Sequence, residues 1–212
     1  MSRTYSVKEA FYTLQGEGAH AGMPAVFVRF SGCNLWSGRD SDRTRAKGSC
    51  AAWCDTDFVG TDGTNGGKYT AQDIADLVLR LWPATKTRPR IVLTGGEPLL
   101  QVDSELVGTL LAHRCWLAIE TNGTQPVPHG IDWICVSPKA GAPITLTVAD
   151  ELKIVWPQDI DPEAVLAQTA VNHCSIQPRA DIPNSTQDAL AFVKDHPRWR
   201  LSLQLHKLLH IP

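Results

Sequence analysis

Short apolar runs alternate with amphipathic stretches along most of the chain, the pattern of strands joined by crossover helices. Tyr5–Leu14 mixes apolar and polar positions and predicts an extended lead-in, closed by the turn Gln15-Gly16-Glu17-Gly18. Pro24–Phe30 (PAVFVRF) has the β-branched and aromatic content of a buried strand. Residues 57–68 are rich in glycine and read as loop. A helix then starts at Thr70, with Asp73 in capping-box position, Ile74, Leu77, Val78 and Leu81 along one face, and Pro83 as its stop. Residues 90–93 form the next strand, followed by a helix with Pro98 in its first turn and Leu106, Leu110 and Leu111 on its apolar side.

Further strands are predicted at 116–119, 131–136, 151–156, 173–176 and 200–205, with helices over 162–168 and 186–196. The strands end on polar residues: Thr94-Gly95-Gly96-Glu97-Pro98, Glu120-Thr121-Asn122-Gly123, Ser137-Pro138-Lys139 and Gln177-Pro178-Arg179. Carboxyl ends of parallel strands are the functional face of α/β barrels. Connections 121–130 and 139–150 are too short, or too rich in Pro and Gly, for a crossover helix. The expected fold is therefore α/β: an incomplete, helix-poor (β/α) barrel, one domain over 1–212.

Composition narrows the function classes. The 212 residues are enough for a sizeable core. Twenty Lys and Arg against 22 Asp and Glu give a formal net charge of -2, without the clustered basic excess expected of a nucleic-acid binder. No apolar run approaches the roughly 18 residues of a membrane span. The N-terminal MSRTYSVKEAFYTLQGEG lacks the apolar core of a secretory signal, so the expected setting is cytoplasmic, where thiols stay reduced.

That setting bears on the cysteines. Three of the six, Cys33, Cys50 and Cys54, fall within 29–56 (RFSGCNLWSGRDSDRTRAKGSCAAWCDT). Three grouped thiols without a fourth suggest a metal or cluster site with one coordination position open. A structural zinc site would need a fourth ligand, for which His20 and Asp55 are the nearest candidates. Residues 34–49, with Arg39, Arg43, Arg45 and Lys47 against Asp40 and Asp42, read as a solvated insert, cheap in loop-closure entropy. Cys115, Cys135 and Cys174 lie in apolar strands and read as core thiols. Trp82, Trp116, Trp133, Trp156 and Trp199 read as core or interface aromatics, and His113 and His196 as helix-end residues. Glu120 fits either a substrate acceptor or a structural partner.

Three cysteines after the first buried strand of an α/β chain, with Trp53 before the last and a Gly-Gly-Glu turn after the next strand, resemble the radical S-adenosylmethionine (SAM) superfamily. That superfamily usually has three and two residues between its cysteines, where this chain has sixteen (34–49) and three (51–53). LQGEG, CDT, TGGEP, ETNG, SPK and a C-terminal HKLLHIP, in that order over nearly the full length, resemble more closely the 7-carboxy-7-deazaguanine synthase family of 7-deazapurine (queuosine) biosynthesis. The resemblance implies a 4Fe-4S cluster on Cys33, Cys50 and Cys54, SAM and Mg²⁺. It also implies a lyase reaction in which a 5'-deoxyadenosyl radical takes hydrogen from 6-carboxy-5,6,7,8-tetrahydropterin, the ring contracts with loss of ammonia, and SAM is regenerated.

Matched residue by residue, the resemblance assigns SAM contacts to Trp53, Cys54, Asp55, Gly96, Ser137, Pro138, Lys139, Gln177, Pro178, Arg179 and Ala180. It assigns substrate contacts to Leu14, Gln15, Gly16, Arg29, Thr94 and Pro212, and a magnesium ligand to Thr56. A guanidinium suits the substrate carboxylate. The implied partners are the pterin, an external one-electron donor such as flavodoxin or ferredoxin, and a second copy in a homodimer, with no nucleic acid or membrane. The rival readings are a glycyl-radical-enzyme activase and a zinc-stapled binding module.

Overall fold

The computed structural model describes residues 3–46, 48–83 and 86–212; Lys47 of the insert lies outside them. Its strands are β1 (Tyr5–Leu14), β2 (Pro24–Phe30), β3 (Gly67–Tyr69), β4 (Arg90–Gly95), β5 (Trp116–Thr121), β6 (Trp133–Val136), β7 (Glu151–Trp156), β8 (His173–Pro178) and β9 (Arg200–Leu201). The α-helices are α1 (Ala71–Leu81), α2 (Ser104–Ala112), α3 (Pro162–Ala167), α4 (Ser185–Asp195) and α5 (Leu205–Leu209). The strands of the described residues form one sheet in the order β3-β1-β2-β4-β5-β6-β7-β8-β9. From β2 onward every pairing is parallel, while β1 and β3 are antiparallel.

Period-two alternation sorts each parallel strand between two environments. Val26, Val28, Ile91, Leu93, Leu117 and Ile119 pack with Ile74, Leu77 and Val78 of α1 and Leu106 and Leu110 of α2. Leu152, Ile154 and Ile176 form a second core with Val165, Leu166, Ala189 and Trp199. The intervening positions line the other face: Arg29, Thr94, Glu120, Lys153 and Gln177, above the apolar floor Phe27, Val92 and Ala118. Thr94, Lys153 and Gln177 are at most 7% exposed, so these polar side chains sit inside the fold rather than in solvent.

The sheet does not close, because its outer strands β3 and β9 do not pair. The gap is spanned by single contacts: Gly18 N–H donates to Ser202 Oγ at 2.9 Å, and Leu205 N–H to Gly16 O at 2.9 Å. The approach is close at Gly16, where a Cβ would lie 2.4 Å from His206 Nδ1 and 3.0 Å from His206 N, so any side chain there would displace the His206 ring. No helix occupies 122–132 or 137–150, all described residues, as expected from their composition.

The structure corrects five local expectations. The segment read as loop over 57–68 runs into β3, which hydrogen-bonds to the start of β1. Pro98 heads a separate 3₁₀ turn, Pro98–Leu100, while α2 starts afresh where Asp103 Oδ1 accepts Leu106 N–H at 3.0 Å. The last strand stops at Leu201: Ser202 N–H still reaches Ile176 O, after which the chain crosses the barrel mouth as α5. The strand expected from 131 starts at Trp133, with Asp132 and Asp150 accepting the backbone N–H groups of Leu117 and Ile134 at 2.8 Å each. The 34–49 insert is not wholly solvated. Leu35 and Trp36 are buried, Trp36 packs with Ala51 and Phe58, and Arg43 stacks over its ring at 4.6 Å while donating to Ala51 O.

Candidate active site

Cys33 lies three residues beyond β2, where Glu97 N–H donates to Gly32 O at 3.0 Å and ties the cysteine loop to the turn after β4. That contact dictates glycine at 96, since a Cβ would fall 2.4 Å from Gly32 O and 2.7 Å from Cys33 Cβ. Cys50 sits in the 3₁₀ turn Ser49–Ala52, and Cys54 N–H donates to Cys50 O at 2.7 Å. The additional residue between these cysteines is thus absorbed in one α-type turn, and i to i+4 spacing keeps both thiols on one side. Cys33 Sγ accepts the Leu35 N–H at 3.5 Å.

The three thiols share a cavity of about 170 Å³ with Trp53, Gly95, Gly96, Ser137 and Lys139. Burial raises the Cys33 thiol; it also pushes Cys50 up to about 11, against the pull of the Lys139 ammonium. Lys139 is lowered by burial and donates to Ser137 O and Oγ at 2.7 and 2.6 Å. Among the described residues no three His, Cys, Asp or Glu side chains converge as a single metal ion requires. Three soft thiols around a cavity, with a compensating ammonium on the same wall, are a donor set that fits an iron-sulfur cluster.

A second cavity, about 300 Å³, adjoins the first through Trp53, Asp55 and Gln177 and adds Pro178, Arg179 and Ala180. Arg179 is pre-set by Asp181, at 3.0 Å from Nε and 2.6 Å from Nη2, and lies over the Trp53 ring at 5.0 Å. Asp55 pairs with Lys207 of α5 at 2.5 Å. Pro138 lines neither cavity; its carbonyl accepts from Gln158 Nε2 at 3.2 Å.

A third cavity, about 350 Å³, gathers Leu14, Gln15, Gly16, Arg29, Thr56, Thr94 and Pro212. The C-terminal segment reaches it by folding back, with Thr13 Oγ1 donating to Pro212 O at 3.1 Å. Thr94 and Glu120 belong to this cavity and to the thiol cavity, so the two share a wall. Glu120 accepts from Gln15 Nε2 at 3.0 Å and Thr94 Oγ1 at 3.2 Å, and lies 3.7 Å from Lys153 Nζ. Lys153 also pairs directly with Glu17, which accepts Gln204 Nε2 at 3.0 Å. Burial would raise Glu17, yet the Lys153 ammonium prevails and holds its carboxyl at about 2.

The structure therefore brings together the residues expected from the sequence, apart from Pro138, whose place is one step back. Glu9, Lys153 and Gln204 line these cavities without having been singled out from the sequence, and Glu97 entered only as the last residue of the Gly-Gly-Glu turn. Glu97 is fully buried and accepts from Leu99 N, Thr121 Oγ1 and Asn122 N, joining two strand-end turns. Lys153 did leave a signal, a lysine inside the apolar run Leu152-Lys153-Ile154-Val155.

An open, parallel-rich α/β barrel carrying three cysteines and a glycine-glycine turn at its strand ends is the architecture of a radical SAM enzyme. No family model matches the chain. The 7-carboxy-7-deazaguanine synthase of Burkholderia multivorans is 54% identical, covering 99% of this chain and all of the relative. That of Bordetella pertussis is 53% identical over 98% and 99% of the two chains. The crystal structure of QueE from Escherichia coli superposes with a TM-score of 0.69 at 26% identity, covering 96% of this chain and 95% of the other. The chain belongs to the 7-carboxy-7-deazaguanine synthase family. Enzymes of this type use a 4Fe-4S cluster, SAM and Mg²⁺.

Proposed function

We propose that this chain converts 6-carboxy-5,6,7,8-tetrahydropterin to 7-carboxy-7-deazaguanine with loss of ammonia, in 7-deazapurine biosynthesis. The observation that carries this reading is the shared wall of Thr94 and Glu120 between the thiol cavity and the cavity that Arg29 enters. Cys33, Cys50 and Cys54 would hold the cluster. Trp53, Asp55, Gly96, the Ser137-Pro138-Lys139 turn and Gln177-Pro178-Arg179-Ala180 would hold SAM. When bound, the reduced cluster and SAM supply a carbon-centred radical through one-electron cleavage of a carbon-sulfur bond.

The protein's own residues position and shield. A space of about 350 Å³ suits a bicyclic heterocycle, whereas an activase would need an open groove for a protein backbone. Arg29 grips the substrate carboxylate, and Leu14, Gln15, Gly16 and Pro212 bound the ring. Thr56 would offer a hydroxyl to Mg²⁺, an ion that commonly takes few protein ligands. The ion pair of Glu17 and Lys153 keeps the wall beneath both cavities polar yet internally satisfied.

Residues 1–212 act as one domain in this reading, in the cytoplasm, as a homodimer reduced by an external donor such as flavodoxin or ferredoxin. No helix of the described residues is long and apolar enough to cross a membrane. Anaerobic incubation with a reductant, SAM, Mg²⁺ and the carboxypterin, read by mass spectrometry, is expected to give 7-carboxy-7-deazaguanine without any protein substrate. Unchanged pterin in the presence of a loaded cluster would refute the assignment.

A further inference from the structure

Arg29 enters its cavity with one edge already occupied. Glu9 faces it across the antiparallel β1–β2 pair, and Arg29 Nε donates to Glu9 Oε1 at 2.8 Å. The register of that pair shifts between Val7 and Glu9. The residue between, Lys8, is anchored by Asp57 at 2.8 Å, Asp62 at 2.7 Å and the Val59 carbonyl at 3.0 Å. The neighbouring loop also grips the β1 backbone: Gly63 N–H donates to Lys8 O at 3.0 Å and Asn65 Nδ2 to Ala10 O at 2.9 Å. A Cβ on Gly63 would fall 2.9 Å from Glu9 Cβ, so this loop packs directly on Glu9. Glu9 is fixed from behind, and it fixes Arg29 in turn.

A guanidinium can hold a carboxylate with two parallel bonds, through its Nε side edge or through its terminal Nη pair. With Nε committed, the side-edge mode is closed. We infer that Glu9 is a positioning residue that sets specificity: it holds Arg29 so that only the terminal Nη pair faces the ligand, selecting pterins with a carboxylate at the matching ring position. The Arg29–Glu9 pair is neutral overall, so a ligand gains from fit to the fork rather than from bulk positive charge. The inference rests on the carboxypterin assignment above.

The test titrates cluster- and SAM-loaded protein, without reductant, with fluorescent 6-carboxypterin and with pterin lacking the carboxylate. Glu9→Ala is expected to weaken 6-carboxypterin about tenfold, the scale of one oriented charge-assisted hydrogen bond, and to leave unsubstituted pterin unaffected. In turnover the loss should fall on KM rather than kcat. Glu9→Gln should recover most of it, since an amide oxygen still accepts the Nε–H. In an Arg29→Lys background, Glu9→Ala should cost nothing further. An equal loss for both pterins, a glutamine variant no better than alanine, or an undiminished cost in the lysine background would overturn the inference. A wild-type protein that binds no 6-carboxypterin would instead overturn the substrate assignment.

Discussion

Cys50 shows what a single residue decides. It is 4% exposed, and its backbone carbonyl caps the turn that presents Cys54, so its thiol and its conformation serve the same wall. Cys50→Ala removes one sulfur while leaving that turn intact. The protein should still fold but retain little iron after anaerobic reconstitution, measured by iron and sulfide content and by visible absorption. A full cluster in this variant would move the third ligand elsewhere. The cysteines were legible because soft donors grouped in sequence have few other uses, and Arg29 through the family resemblance, its guanidinium suited to a carboxylate. Glu9 was not legible, and Glu97 was legible only as part of its turn motif: each acts by holding something distant in sequence, Glu9 through cross-strand register and Glu97 through the turn at Thr121 and Asn122.

Elements were legible where one face is buried. The apolar spacing and capping residue of α1 gave both its boundary and its packing, and the capping box is present in full. The last strand misled because 200–205 keeps its apolar alternation, although pairing with β8 ends at Leu201 and the chain then turns into α5. Strand β7 carries a further consequence. Glu17 and Lys153 are nearly enclosed, with side chains 14% and 6% exposed, so Lys153→Met would leave Glu17, and the half-buried Glu120, without their cation. The expected cost is about 3–5 kcal/mol in urea unfolding. Acid should act on the same pair. Glu17 is held at about 2 against an ordinary 4.5, so its contribution is present above roughly pH 4.5 and lost as pH falls towards 2. Urea midpoints of wild type should fall across that window, and those of Lys153→Met should fall less. Equal slopes would show that the pair does not supply the acid sensitivity.

At the scale of the molecule, alternation along each strand does two jobs, sending aliphatic residues to the helices and polar ones to a common interior. The polar strand ends were readable from the sequence, as was the shortage of crossover helices. The closing of the barrel mouth was not, because it depends on single contacts such as Leu205 N–H to Gly16 O between segments almost a full chain length apart. The central claim is that the two cavities divided by Thr94 and Glu120 hold the cofactor and the pterin side by side. Its most direct test supplies 6-carboxytetrahydropterin deuterated at its saturated ring carbons under anaerobic turnover, with mass spectrometry of product and recovered SAM. Side-by-side binding predicts 7-carboxy-7-deazaguanine over many turnovers with SAM conserved and deuterium in the recovered SAM. Product formed while SAM stays unlabelled would contradict it.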